Sequence, residues 1–266
     1  MKSNSYIVKK TASTAIKGRW PICIAAAFIP VLFFILIGSF AVFFINLYSS
    51  AIATAIIVAF FIAFLFGAGI ELVLGSLYFF NEIIENGNCQ LAEVFRYFSC
   101  KKYYKSALNF SILWLGQIAV LGGIIFLPAA VLDYLASGSF SESFNITTPL
   151  WFSDLWGVSV VIKVIAFVIA AIFLIRIYTI PFAFIKSDCV PFNVCLKLAK
   201  QTSAFGLGNF ITLVFSQILI IAISFLGAPL IFTLPFLTMC YTVHCRFTYF
   251  NTINKQNFNS AFSEKL

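Results

Sequence analysis

The chain has 266 residues, 62% of them hydrophobic and only 10% charged, with a net charge of +8. A soluble domain averages about a quarter charged and under half apolar, so that class is excluded. The mean hydropathy of +1.02 and the pI near 9.2 agree. The basic residues flank apolar runs, so the charge points to topology and anionic lipid, not to nucleic acid.

Apolar runs beyond about 18 residues span a bilayer, which takes roughly 20 residues of helix. The runs here are far longer than the roughly 10-residue strands of a membrane barrel. The expected fold class is all-α: a polytopic membrane protein with six transmembrane helices and short amphipathic helices on the cytoplasmic surface. The spans form three repeated hairpin units, about 1–80, 81–186 and 187–266, of one membrane domain.

Residues 1–19 hold Lys2, Lys9, Lys10, Lys17 and Arg19 and no acid. Val8, Ala12, Ala15 and Ile16 recur at helical spacing, which predicts a basic amphipathic helix on the inner surface. Trp20 follows as an interfacial anchor. The first span, 20–47, is longer than the roughly 7–15 apolar residues of a signal peptide, so it is expected to stay in the mature protein. Pro30 is expected to kink it.

A tight turn at 48–50 leads to the second span, 51–80, which is too long for one upright crossing. Gly67, Gly69 and Gly75 are small enough to admit a close neighbour. The polar stretch 81–105 opens with a turn at Asn86-Gly87-Asn88. Leu91, Val94, Phe95 and Phe98 then follow i, i+3, i+4, i+7, the stripe of a helix lying in the interface.

The third span is 106–135. The connection 136–155 lacks Lys and Arg, carries Glu142 and Asp154, and is flanked by Trp151 and Trp156 as by an aromatic belt. It also holds an Asn145-Ile146-Thr147 sequon, which matters only in a eukaryotic secretory pathway. The fourth span, 156–185, contains Lys163 and Arg176. A second basic surface helix follows, with Phe192, Cys195, Leu196 and Ala199 on its apolar side and Lys197 and Lys200 on the other. The last two spans, 206–226 and 230–249, are hinged at Gly227-Ala228-Pro229.

Of the 17 Lys and Arg, 15 fall in the N-terminal segment, the second and fourth connections and the C-terminal end. None falls in the first, third or fifth connection, so six spans with both termini cytoplasmic satisfy the positive-inside rule. Seven cysteines, none in the segment assigned outside, argue for reduced thiols.

Asn109-Phe110-x-x-Leu113-x-x-x-Gln117-Ile118 matches Asn209-Phe210-x-x-Leu213-x-x-x-Gln217-Ile218 at an offset of 100, as Tyr78 matches Tyr178 and Cys89 matches Cys189. Two spans separate equivalent positions, so the repeats are parallel. Ala15-Ile16-Lys17-Gly18-Arg19-Trp20, Tyr178, the run 182–188 with the basic helix after it, and a span ending near Pro235 together resemble a known family. It is the group of bacterial six-span membrane proteins called DUF975, with relatives in the membrane domain attached to some glycerophosphodiester phosphodiesterases. The resemblance implies the six-span topology and a bacterial plasma membrane, and it brings no catalytic motif.

Five polar residues inside spans are candidate site residues. Glu71 is an acid deep in an apolar run, where charge is costly and marks a functional site by default. Arg176 lies at a similar depth, and the two are expected to pair, unless Arg176 snorkels to headgroups. Lys163 reaches headgroups, Asp133 or Asp154. Gln117 and Gln217 are read as interhelical hydrogen-bonding glue or as a polar path between repeats. His244, with Cys240 and Cys245 nearby, lacks the three or four ligands a metal needs. No P-loop, His-Glu-x-x-His or Gly-x-Ser-x-Gly motif is present, so no cofactor and no enzymatic activity are expected. The function expected is a non-catalytic membrane component docking anionic headgroups at its cytoplasmic face or a membrane-protein partner. The alternatives are a small transporter or permease subunit with a midplane polar site, and an intramembrane enzyme.

Overall fold

The computed structural model describes residues 4–48, 50–136, 155–187, 190–224 and 229–263. The described residues are almost all helical, joined by short turns, with no strand among them. The elements are α1 (Asn4–Ile16), α2 (Trp20–Leu47), α3 (Ala51–Phe64), a π-helical turn (Leu65–Gly69), α4 (Ile70–Asn86), a 3-10 helix (Leu91–Phe98), α5 (Lys101–Ala136), α6 (Leu155–Ile177), α7 (Ile180–Lys186), α8 (Phe192–Ser224) and α9 (Leu230–Ser263). Among the described residues five helical stretches are long and apolar enough to cross a membrane, or six if the bent α8 counts as one span. This is the expected all-α, multi-pass architecture.

The contacts divide the chain into two units, 1–112 with 178–266, and 113–177. In the larger unit the core is built around α4. Eleven of its residues are buried, among them Leu74, Phe79 and Phe80. Phe79 and Phe80 share one cluster with Val8, Ala12 and Ile16 of α1, Cys23, Ala26 and Ala27 of α2, Leu213 of α8, and Met239, Cys240 and Val243 of α9. The apolar stripe of α1 thus packs against protein, and Lys9 Nζ donates to the Ser216 carbonyl of α8 at 2.7 Å. Gly18, at φ +79°, supplies the left-handed residue that turns the chain from α1 into α2.

Local chemistry sets the remaining boundaries. Ser50 caps α3, its hydroxyl accepting from the Ala53 N–H at 3.2 Å. Gly87, at φ +74°, ends α4 where a turn is expected. α2 continues as one helix past Pro30. α8 bends by 71° between its basic first half, Phe192–Ala204, and its apolar second half, Gly206–Ala222.

The segment after α4 differs from the expected α-helix. Leu91–Phe98 is a 3-10 helix, with three residues per turn. Its inward stripe is therefore Val94 and Tyr97, while Phe95 and Phe98 are exposed. The reason is the close approach to α4. A Cβ on Gly75 would lie 1.9 Å from the Val94 carbonyl oxygen, so only glycine lets the two backbones meet. Arg96 stacks over the Tyr78 ring, 4.0 Å from its centroid, and adds a second contact between the segment and α4.

The second unit is the hairpin of residues 113–136 of α5 with α6. Apart from Ile177 at its end, the buried residues among those described in this unit are small, Ala129, Ser159 and Ala166, and large apolar side chains such as Ile124, Leu127 and Phe167 face outward. This is the pattern of helices packed through small residues and surrounded by lipid.

Candidate functional site

Glu71 sits in the first turn of α4, directly after the π-helical turn, and is completely buried. A π turn inserts one extra residue and rotates the helix face that follows, a device frequent at functional sites. The Tyr104 hydroxyl of α5 donates to the Gly67 carbonyl at 3.0 Å, satisfying an acceptor within that turn. The Ser111 hydroxyl lies 3.2 Å from Glu71 Oε1 and 2.8 Å from the Ala107 carbonyl, two acceptors for its one proton. Oε2 is sealed from solvent and has no hydrogen-bond partner among the described residues. A buried carboxyl oxygen left unbonded costs stability, so this niche is a polar position held against packing.

The side chain of the proposed partner Arg176 lies outside the described residues. Lys163 pairs with Asp133 at 2.6 Å in the smaller unit, where the Ser159 hydroxyl donates to the same carboxylate. Asp154 is outside the described residues, as is the sequon at 145–147. Gln217 is buried, with Nε2 unbonded among the described residues; Gln117, in the smaller unit, has its Oε1 sealed and likewise unbonded. Among the described residues no three His, Cys, Asp or Glu gather as metal ligands.

Two arrangements were not read from the sequence. The first is a charge cluster: Glu85 of α4 is bonded by Lys186 of α7 and by Arg246 of α9, whose guanidinium also donates to Asn81 Oδ1 at 3.3 Å. The second is centred on His244. Its Nε2 lies 2.8 Å from the Tyr178 hydroxyl, Tyr178 stacks on Phe210 at 4.0 Å, and Tyr241 donates to the Tyr178 carbonyl at 2.6 Å. A Cβ on Gly206 would meet Thr248 at 2.5 Å and the Tyr178 hydroxyl at 2.9 Å, so this glycine lets α8 lie against the pair. Tyr178 had two sequence signals, its match with Tyr78 across the offset and its place in the family resemblance; the two tyrosines do different work, one holding a histidine and the other a guanidinium.

The basic end of the larger unit also presents an open groove of about 520 Å³ lined by Lys10, Thr11, Thr14, Ala15, Arg19, Ile83 and Ile84. Thr14 and Arg19 donate to backbone carbonyls of their own helix turn, and no carboxylate among the described residues pairs with Lys10 or Arg19.

Fold and sites together define a multi-pass, all-helical chain compatible with an integral membrane protein. No family model, curated protein or solved structure matches it.

Proposed function

We propose that the chain is a non-catalytic component of a bacterial plasma membrane, with both termini cytoplasmic, that docks anionic lipid headgroups at its basic end. The observation that carries this is the groove of Lys10 and Arg19. Two cations and two threonine hydroxyls stand beside Ile83 and Ile84, which is the chemistry of a phosphate above an acyl chain. The amphipathic segments at 91–98 and 192–204, the repeated hairpins and the DUF975 resemblance belong to the same reading. They supply the basic surface and the orientation that the Lys and Arg bias implies.

The test is thermal unfolding of the purified chain in detergent, titrated with lipid. Phosphatidic acid should raise the midpoint more than phosphatidylcholine, with the difference weakened by salt and lost in Lys10→Gln/Arg19→Gln. Equal shifts with both lipids would overturn the reading. A membrane-protein partner at the same surface would instead show as lipid-independent co-purification that the same double variant abolishes. Orientation is checked in intact cells: a Ser141→Cys probe should react with an impermeant thiol reagent without lysis.

The unbonded Oε2 of Glu71 supports a second reading, a small transporter subunit in which this carboxyl takes up a proton or cation. Reconstituted into liposomes with an internal pH dye, the chain would then pass protons in a way that Glu71→Gln abolishes at unchanged stability. Equal traces from the two proteins would remove this reading.

A further inference from the structure

Towards the start of α1, before the residues that line the basic groove, a partly open cavity of about 120 Å³ is bordered by α1, α8 and α9. Its lining is Asn4, Ile7, Val8, Asn209, His244, Phe247, Thr248 and Asn251. His244 and Thr248 form the buried floor. The side-chain hydrogen bonds of His244 run through Nε2, to Tyr178 and Thr248, and among the described residues nothing pairs with Nδ1. The amides of Asn4, Asn209 and Asn251 stand exposed at the rim, with no bonding partner among the described residues. The position therefore holds four hydrogen-bonding groups that the fold itself does not use, around one space.

The lining decides the chemistry of what fits. It contains no Lys, Arg, Asp or Glu, so a phosphate or carboxylate inside would find no countercharge. Each carboxamide offers both a donor and an acceptor, and a neutral imidazole offers one of each. Hydroxyl groups match that set, since each both donates and accepts. Phe247, Ile7 and Val8 supply an apolar wall for carbon faces. An engineered cavity of ~150 Å³ takes a benzene-sized molecule, so this one suits a group of about six heavy atoms.

We propose that the cavity binds a small uncharged polyol, free or as the headgroup of a lipid. As a headgroup site it deepens the lipid-docking reading and rests on it, the neighbouring basic groove taking the charge and this cavity the hydroxyls.

The experiment uses the full chain in detergent and three probes: phosphatidylglycerol, phosphatidic acid of the same acyl chains, and free glycerol observed by saturation-transfer NMR. Phosphatidylglycerol should reach its half-effect on the unfolding midpoint at about fivefold lower concentration than phosphatidic acid, the scale of one or two hydrogen bonds. Asn209→Leu/Asn251→Leu should erase that preference and leave the phosphatidic acid response intact. These residues are exposed, so the variant should fold, which its unliganded midpoint verifies. Lys10→Gln/Arg19→Gln should weaken both anionic lipids alike and keep the preference. A glycerol signal lost in the asparagine variant, with no preference between lipids, assigns the site to the free polyol. That result stands even where no anionic lipid binds and the docking reading fails. A preference that survives in the asparagine variant overturns the proposal. So does the absence of both a preference and an asparagine-dependent glycerol signal.

Discussion

The continuous helical stretch Ile52–Asn86 joins two halves of opposite character. In α3 none of the described side chains is buried, and Ile52, Ile56 and Phe60 point outward. In α4 eleven residues are buried, and the helix is the axis of the core. Apolarity does not separate them, since α3 is the more apolar of the two. What separates them is shape and partners. Lipid tails are as apolar as leucine, so an all-apolar helix gains little by leaving lipid for protein. α4 carries Glu71, Ser76, Asn81 and Glu85, whose polar atoms need partners, and Gly75, which admits a backbone. Packing follows the polar and small residues, and the π turn between the halves changes the face the helix presents.

The widest break between the halves comes from truncating one phenylalanine in each. Phe80 is fully buried and Phe60 is 58% exposed. Phe80→Ala should lower stability by about 3–5 kcal/mol, and Phe60→Ala by no more than about 0.5 kcal/mol. Unfolding in detergent, followed by helical circular dichroism, compares them directly. Similar losses would show that α3 has packing partners of its own.

A glycine pair gives the next contrast. Gly75→Ala sets a methyl group against the Val94 backbone and should cost about 2–3 kcal/mol, above what helix propensity returns. Gly38 in α2 has nothing within 4 Å of its missing Cβ, so Gly38→Ala should stabilise by up to about 1 kcal/mol. The two should therefore differ in sign.

These residues also mark how far the sequence could be read. Apolar length was enough to give the bounds of α2, because a span is a local property. The glycines of the second span were legible as points of close approach, yet not the neighbour, which for Gly75 is the backbone of a 3-10 turn. The stripe at 91–98 was read with the α-helical period, whereas the tight contact with α4 selects the 3-10 one. Glu71 stood out as an acid in an apolar run, but its bond to Ser111 joins residues 40 apart, and that of Tyr178 to His244 joins residues 66 apart. No local pattern encodes such pairs. The polar rim that includes Asn209 needs three helices to assemble, so the sequence offered only the Asn109–Asn209 match.

Where the acidic last turns of α4 meet Lys186 and Arg246 of other helices, charge takes over from packing. Glu85, Lys186 and Arg246 are each about a fifth to a quarter exposed, so solvent screens part of their attraction. Glu85→Gln should cost about 1–2 kcal/mol at low salt and less at high salt, since it leaves two cations sharing one neutral amide. A loss independent of salt would assign the residue to packing alone.

The smallest effect is read at Cys89, just past the end of α4. Its thiol donates to the Gln90 carbonyl at 3.7 Å and packs at the edge of the core. Burial, reinforced by the carboxylates of Glu93 and Glu82, pushes the thiol up to about 12. The thiolate is the nucleophile, so at pH 8 its population falls about a thousandfold below that of a thiol at 9.0. Alkylation of Cys89 by N-ethylmaleimide, followed peptide by peptide in a mass spectrometer, should be at least about a hundredfold slower in the folded chain than in detergent-denatured chain. The sign of the linkage follows. The folded thiol holds its proton more tightly than the unfolded one, so it leaves stability untouched below pH 8. Between about 9 and 12 the unfolded thiol ionises and the folded one does not, and stability falls. The folded-state rate should therefore keep rising with pH through 10 and 11. A plateau near pH 9 would mean that Cys89 faces water, and that the packed half of the span ends before it.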